Sequence, residues 1–446
     1  MEQKHLFSNK MLMGILTPII LEQLLNSLMG TADTMMVSNV GSAAISAVSL
    51  VDSINVLVIQ VFSALAAGGT IICAHYMGQK NYTEANHSAR QVLLVVFAIS
   101  SALTLLCLVF RNPLLRLIFG KVDADVMENS SVYFLFTALS YPFIALYDAG
   151  ASIFRAQENT KGPMIVSIIS NCMNIAGNAV LIWGFGMGVA GAAIATLASR
   201  IFCAVVVLWQ LRQDRQLIVV RDYLQIRPDK RMIGRILQLG VPSGVENSMF
   251  QLGKLSIQST VSTLGTTAIA AQAMTNILEM LNGTAAMGVG IGLMTIVGEC
   301  LGAGRKDEAV YYVKKLCWIS EVVIIISCLV VYALANPITK LGGMEAESAR
   351  LCLQMIGWIT VVKPIAWVLA FIPGYGMRAA GDVKFSMITS CITMWVFRFC
   401  LCVFLIRRMG MGPIAVWIGM FTDWTVRSLV FLYRFHSRKW LQHKVI

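Results

Sequence analysis

The chain has 446 residues, 57% of them hydrophobic and only 13% charged, with a mean hydropathy of +0.72. That composition excludes a soluble enzyme and describes an all-α, polytopic membrane protein. A net charge of +12 would suit a nucleic-acid partner, but its placement excludes one. The basic residues gather in loops on one side, densest in 212–235 with Arg212, Arg215, Arg221, Arg227, Lys230, Arg231 and Arg235. That bias predicts both termini in the cytoplasm and a multi-pass protein of the cell (inner or plasma) membrane.

Hydropathy and length predict twelve spans, roughly 11–36, 46–73, 91–110, 132–152, 163–183, 189–211, 236–261, 269–298, 316–335, 351–374, 386–406 and 413–433, each long enough at about 20 residues per crossing. The opening MEQKHLFSNK is too polar and too short for a cleavable signal peptide. Span one carries PIILEQLLNSLMGTAD, Pro18 to Asp33, with two carboxylates inside an apolar run. Glu22 and Asp33 fall nearly on one helix face, about 16 Å apart along the axis, with Asn26 and Met29 between them. Ionisable groups in a spanning helix usually face a bundle interior or a water-filled cavity.

The second half repeats the first. Pro18 and Glu22 recur as Pro242 and Glu246, Gly41 as Gly265, Gly78 as Gly302, Glu84 as Glu308, and Asn112-Pro113 as Asn336-Pro337, all at an offset of 224. Arg155 and Lys161 recur at 223 as Arg378 and Lys384, and GMG at 186–188 returns at 410–412. Each half holds six spans, so the repeats are parallel, related by a pseudo-two-fold along the membrane normal. The expected organisation is an N-lobe over 1–211, a basic cytoplasmic linker over 212–235 that lets the lobes move, and a C-lobe over 236–446. The glycines of spans six and eight, among them Gly188, Gly191, Gly288, Gly290 and Gly292, read as close helix packing.

The stretches DTMMVSNVGSAAISAVSL from Asp33, YMGQKNYTEA from Tyr76, RAQENTKGPM from Arg155, NIAGNAVLIWGFGMGVAGAA from Asn174 and LGAGRKDEA from Leu301 resemble the multidrug and toxic compound extrusion (MATE) transporters. The resemblance covers nearly the whole chain. It implies a V-shaped pair of six-helix lobes and antiport of organic, often cationic, compounds against H+ or Na+. It also implies an N-lobe ion site, which by position falls on Asp33, Asn174, Asn178 and Thr196. Asn178 stands where the family often has a second Asp, which weakens any scheme needing two acids there. A second branch of the family uses a Glu on span seven, matched by Glu246, and an Asp on span ten, where this chain's only charge is Lys363.

The residues support that reading on their own terms. Asn171, Asn174 and Asn178 share one face of span five with Ser167 and Ser170, forming either interhelical glue or a cavity wall. Glu22, Asn26, Asn171, Glu246 and Lys254 are the candidate substrate-cavity residues. Glu22 and Glu246 either line a cleft or serve backbone freed by Pro18 and Pro242. Lys254 and Lys363 are expected to pair with Glu246 and Glu279 in some combination, because unpaired charge in the bilayer is costly. Asp52, Asp148, Arg200, Arg398, Asp423 and Arg427 read as paired or snorkelling groups. The 25 Met and 20 Phe suit a pocket of variable shape, but are more often plain core.

The expected function is secondary antiport of organic, cationic amphipathic compounds (xenobiotics, drugs and toxins) by alternating access, in a monomer embedded in the lipid bilayer. The alternative is a lipid-linked oligosaccharide flippase of the same wider superfamily. No cofactor is expected; H+ or Na+ is the coupling ion, and Na+ at Asp33 is the single metal reading. The five histidines lie at termini or loops and the eleven cysteines form no C-x-x-C pair. No nucleophile–base pair and no phosphate loop is present, which argues against an enzyme and against a nucleic-acid partner.

Overall fold

The structure, a computed structural model, describes residues 5–120 and 122–446, and no side chain of 29–34 is described. The described residues form helices and no strand, as a bilayer demands of a chain that cannot leave backbone groups unpaired in hydrocarbon. In chain order these are α1 (Asn9–Ser38), α2 (Ser42–Gly78), α3 (Tyr82–Val109), α4 (Arg111–Phe119), α5 (Ala124–Leu139), α6 (Tyr141–Ala156), α7 (Lys161–Asn178) and α8 (Gly188–Leu211). The second repeat supplies α9 (Lys230–Val261), α10 (Thr266–Gly302), α11 (Lys306–Leu341), α12 (Ala346–Ala379), α13 (Val383–Ile392), α14 (Leu401–Met409) and α15 (Ile414–His436). A π segment, Ala179–Gly184, extends α7, and another, Thr393–Cys400, joins α13 to α14.

Ten of the described helical stretches are long and apolar enough to cross a membrane, and α5 with α6 makes an eleventh, bent by 42°. The bend has a local cause. Pro142 lies in the first turn of α6, lacks an N–H and disfavours helical continuation before it. The twelfth crossing is α9, whose 32 residues suffice in length while Arg235, Glu246 and Lys254 hold down its hydropathy. Among the described residues, twelve crossings in two six-span repeats result, with α4 a short additional helix.

Contacts divide the chain into two units: 1–24 with 245–445, and 25–244 with 446. The boundaries fall inside α1 and α9, a few residues after Pro18 and Pro242, each of which removes one i→i−4 backbone bond. The start of α1 therefore packs with the second repeat and the start of α9 with the first. Both crossings are backbone-close and equivalent by the 224 offset. In the unit of 25–244, a Cβ on Gly68 would lie 3.1 Å from the Gly240 nitrogen. In the unit of 1–24 with 245–445, a Cβ on Gly292 would meet the Leu16 side chain at 2.5 Å, and one on Gly288 the Ile20 Cα at 2.9 Å. Gly290 likewise lies under the Tyr375 ring, so the packing expected of these glycines is what they do. Gly41 and Gly265, each directly before the second helix of its repeat, share positive φ values of 137° and 96° that disfavour any side chain.

The linker 212–235 lies wholly within the unit of 25–244 and is fastened there. The Leu217 and Ile218 amides donate to Gln157 Oε1 at 3.0 and 3.1 Å, and the Val219 amide to Asn86 Oδ1 at 2.9 Å. Gln91 donates to the Arg227 carbonyl at 2.8 Å and accepts from the Asp229 amide at 3.0 Å. Asp229 caps α9, taking the Arg231 amide at 2.9 Å, and its other oxygen meets His87 Nε2 at 2.9 Å. The His87 hydrogen bond, then the Arg231 amide, holds the Asp229 carboxyl below its ordinary range. The contribution of that depressed pKa is complete above the usual carboxylate range and is lost only as pH falls through the lower folded value.

Replacing Gly288 by Val is expected to overpack the crossing and destabilise by about 1–3 kcal/mol, read as a lower melting temperature in detergent. Gly244→Ala, whose new Cβ would meet only Ala64 at 3.7 Å, should leave melting nearly unchanged. In hydrogen exchange, the Leu217 and Ile218 amides should be protected despite lying outside helices, and Gln157→Ala should release those two amides specifically.

Candidate functional site

The first polar site belongs to the unit of 25–244. It is built on α7, whose residues 167, 170/171, 174 and 178 repeat at helical spacing. Asn26 Oδ1 accepts from Ser167 Oγ and from Asn171 Nδ2, both at 2.7 Å. One turn on, Asn178 Nδ2 donates to Asn174 Oδ1 at 3.3 Å, and Asn174 Nδ2 to Thr196 Oγ1 of α8 at 3.2 Å. Ser170 donates to the Ser199 carbonyl at 3.1 Å, closing the same α7–α8 seam. Asn178 is fully buried, Asn174, Thr196 and Asn171 are half-buried, and Asn26 is exposed. The π segment begins directly after Asn178, and such segments re-aim side chains within a helix. Of the four residues the resemblance assigns to ion coupling, three are therefore joined in one hydrogen-bonded chain. The fourth, Asp33, lies outside the described side chains. What these groups offer is a row of hard oxygen acceptors, the chemistry that suits a cation such as Na+.

The other unit is ionic. Buried Glu246 accepts from Arg378 Nη2 at 2.7 Å, Ser390 Oγ at 2.6 Å and Ser386 Oγ at 3.3 Å. Lys363, fully buried on α12, pairs with Glu279 Oε1 at 2.6 Å, donates to the Glu279 carbonyl at 3.0 Å, and also bonds Asn282 Oδ1. The expected pairing thus holds for Lys363 with Glu279 and fails for Glu246 with Lys254. Eight residues on from Glu246, Lys254 points to another side of α9, while Arg378 reaches the carboxylate from α12. Lys254 is instead exposed, its ammonium 5.0 Å from the Phe250 ring centroid. Asp423 takes Arg427 at 2.9 Å and Arg398 at 3.8 Å. Glu22 is buried in this unit.

Several membrane charges of the first repeat have neutral hydrogen-bond partners. Tyr133 and Asn55 donate to Asp52, Ser63 donates to Asp148 at 2.8 Å, and Arg200 donates to Ser140 at 2.7 Å. Among the described residues, no group of three His, Cys, Asp or Glu is placed to hold a metal ion.

A family model described as MatE matches residues 18–180 and again 242–404, two copies at the 224 offset. The chain belongs to the MatE family. Among its relatives are the uncharacterized transporter YisQ of Bacillus subtilis, 28% identical over 97% of this chain and 95% of that one, and the probable multidrug resistance protein NorM of Thermotoga maritima, 26% identical over 98% and 94%. A solved structure described as an outward-facing multidrug resistance MATE family transporter superposes with a TM-score of 0.90 at 18% identity, covering 96% of this chain and 95% of that one. A MatE chain is a multi-pass membrane transporter of small molecules, and this one carries the multidrug-efflux fold throughout.

Sequence reasoning missed Arg378, Ser390 and Asn282 as partners. Arg378 had a signal: it recurs with Arg155 in the repeat and shares its unit's membrane ends with an acid that needs a cation. Replacing Glu246 by Gln should strand the Arg378 guanidinium, which is about one-fifth exposed. The expected cost is about 3 kcal/mol, the low end for breaking a buried pair. The paired variant Glu246→Gln with Arg378→Gln should recover most of that loss of melting temperature, and failure to recover would show that the two groups do not stabilise each other.

Proposed function

We propose that this MatE transporter is a secondary antiporter that exports organic, cationic amphipathic compounds in exchange for H+ or Na+ by alternating access. The observation that carries the reading is the hydrogen-bonded chain Asn178–Asn174–Thr196, at the positions where the family resemblance assigns ion coupling together with Asp33. Na+ would take its oxygens from Asp33, Asn174 Oδ1 and Thr196 Oγ1; a proton would sit on Asp33 alone. Asn26, Asn171 and Ser167 form the neighbouring polar wall. Substrate and ion need not touch the same atoms. They need only favour opposite conformational states, so that binding one displaces the other. The basic linker supports cytoplasmic termini and export from that side. The multidrug-resistance descriptions of relatives such as NorM of Thermotoga maritima support drug-like substrates and do not favour the lipid-linked oligosaccharide flippase.

Dye efflux in proteoliposomes tests this directly, with a pH gradient and a Na+ gradient imposed separately on wild type and Asp33→Asn. Transport of a cationic dye should follow one of the two gradients and fall to background in the variant. Equal activity in Asp33→Asn would remove Asp33 from the mechanism.

A further inference from the structure

The two units place opposite chemistry at equivalent positions. In the unit of 25–244, Asn26, Ser199 and Cys203 are neutral; at the 224 offset they become Phe250, Asp423 and Arg427. Gly30 becomes Lys254, and the acid Asp33 becomes Ile257. Asn174 becomes Arg398, which lies in the π segment Thr393–Cys400.

Three cations converge on one ring in consequence. Lys254 Nζ lies 5.0 Å, the Arg398 guanidinium 5.2 Å and the Arg427 guanidinium 5.9 Å from the Phe250 centroid. Lys363 and Glu279 are within electrostatic reach of Lys254. Four cations (Lys254, Lys363, Arg398, Arg427) thus face two carboxylates, Glu279 and Asp423. Lys363 and Arg427 are satisfied by those two acids at 2.6 and 2.9 Å. Arg398 is not: it is 4% exposed, its Nε and Nη1 make no hydrogen bond among the described residues, and Asp423 is 3.8 Å away. Lys254 has no ion pair among the described residues and is exposed. A phenyl face attracts cations weakly and cannot offset excess positive charge inside a bilayer. Such a cluster is a receptor waiting for negative charge, with two donors of different reach and an aromatic surface beside them.

We propose that Phe250, Lys254 and Arg398 form a subsite for an anionic group, a carboxylate, sulfonate or phosphate, carried by an aromatic substrate. The proposal rests on the reading of this chain as an exporter of organic compounds, and it extends the substrate class from cations to zwitterions and organic anions. In it, Lys254 meets the anion first and Arg398 supplies the buried hydrogen bonds, while the substrate's ring packs on Phe250.

The test uses two xanthene dyes of opposite charge, carboxyfluorescein and rhodamine 6G, titrated by fluorescence anisotropy into the purified full-length protein without any ion gradient. Wild type should bind carboxyfluorescein saturably. Lys254→Gln should weaken that binding about tenfold, the loss of one charge-assisted hydrogen bond, whereas Lys254→Arg should stay close to wild type and rhodamine 6G binding should not weaken in either variant. Lys254 is exposed, so these variants should fold; unchanged melting temperatures check that. No saturable carboxyfluorescein binding by folded wild type, or equal binding by Lys254→Gln, would overturn the subsite. Displacement of the dye by phosphatidylglycerol but not by benzenesulfonate would also overturn the substrate assignment, in favour of a lipid headgroup. Because no gradient is applied, failure here is separable from failure of ion-coupled efflux through Asp33.

Discussion

The structure depends on a pair of glycine-mediated helix crossings, where the start of α1 lies against α10 and the start of α9 against α2. Lipid offers no hydrophobic drive for helices to associate, so association must come from packing and hydrogen bonds. At Gly68 with Gly240 the contact is backbone on backbone; at Gly288 and Gly292 the α1 backbone and Leu16 come down on a helix with no Cβ in the way. Any side chain there would push the helices apart along their length. The proline just before each unit boundary loosens the same two helices and no others at that position. Each of α1 and α9 is thus tightly gripped at one end and relieved of a backbone bond in the middle, which is how one helix can serve two units.

Charge is the second constraint, and the two units meet it differently. In the unit of 25–244, hydroxyls and an amide reach two carboxylates: Tyr133 and Asn55 meet Asp52, and Ser63 meets Asp148. The other unit answers carboxylates with cations, Arg378 for Glu246, Lys363 for Glu279, and Arg427 for Asp423. A guanidinium at 2.7 Å already supplies a carboxylate with what a mobile ion would. An acid locked in that way is poorly suited to exchange protons or Na+ during a cycle.

Much of this was legible in the sequence. Hydropathy and length predict all twelve crossings, α9 among them although its charges lower its hydropathy. Gly68 and Gly292 are related by the 224 offset, and both sit at a close helix crossing. The hydrogen-bonded row on α7 follows from helical spacing, since Ser167, Asn171, Asn174 and Asn178 can only share a face. Ion pairing was less legible. Lys363 with Glu279 was within the expected combinations, but Glu246 pairs with a residue 132 positions away on α12. Nothing in one helix's periodicity reports what a neighbouring helix's longest side chain can reach. The linker's charges likewise say nothing of where its backbone is held: its amides are taken by Gln157, Asn86 and Gln91.

The excess of cations around Phe250 is hard to explain as a stabilising device. Buried ion pairs seldom outperform well-packed apolar side chains of the same volume, because desolvation offsets their attraction. The first repeat demonstrates the apolar or neutral solution at the same positions, with Gly30, Ser199 and Cys203 where the second has Lys254, Asp423 and Arg427. If stability alone set these residues, the neutral set would serve both units. Moreover, Asp423 satisfies only one of its two arginines closely, and a backbone approach fixes the other: a Cβ on Gly419 would lie 2.7 Å from the Arg398 carbonyl, so the π segment is seated directly on α15. Arg398 is therefore buried on a segment seated against α15, with its Nε and Nη1 lacking a hydrogen bond among the described residues. In the proposed subsite, a group held like that is fixed in advance for a partner that comes and goes with the transport cycle.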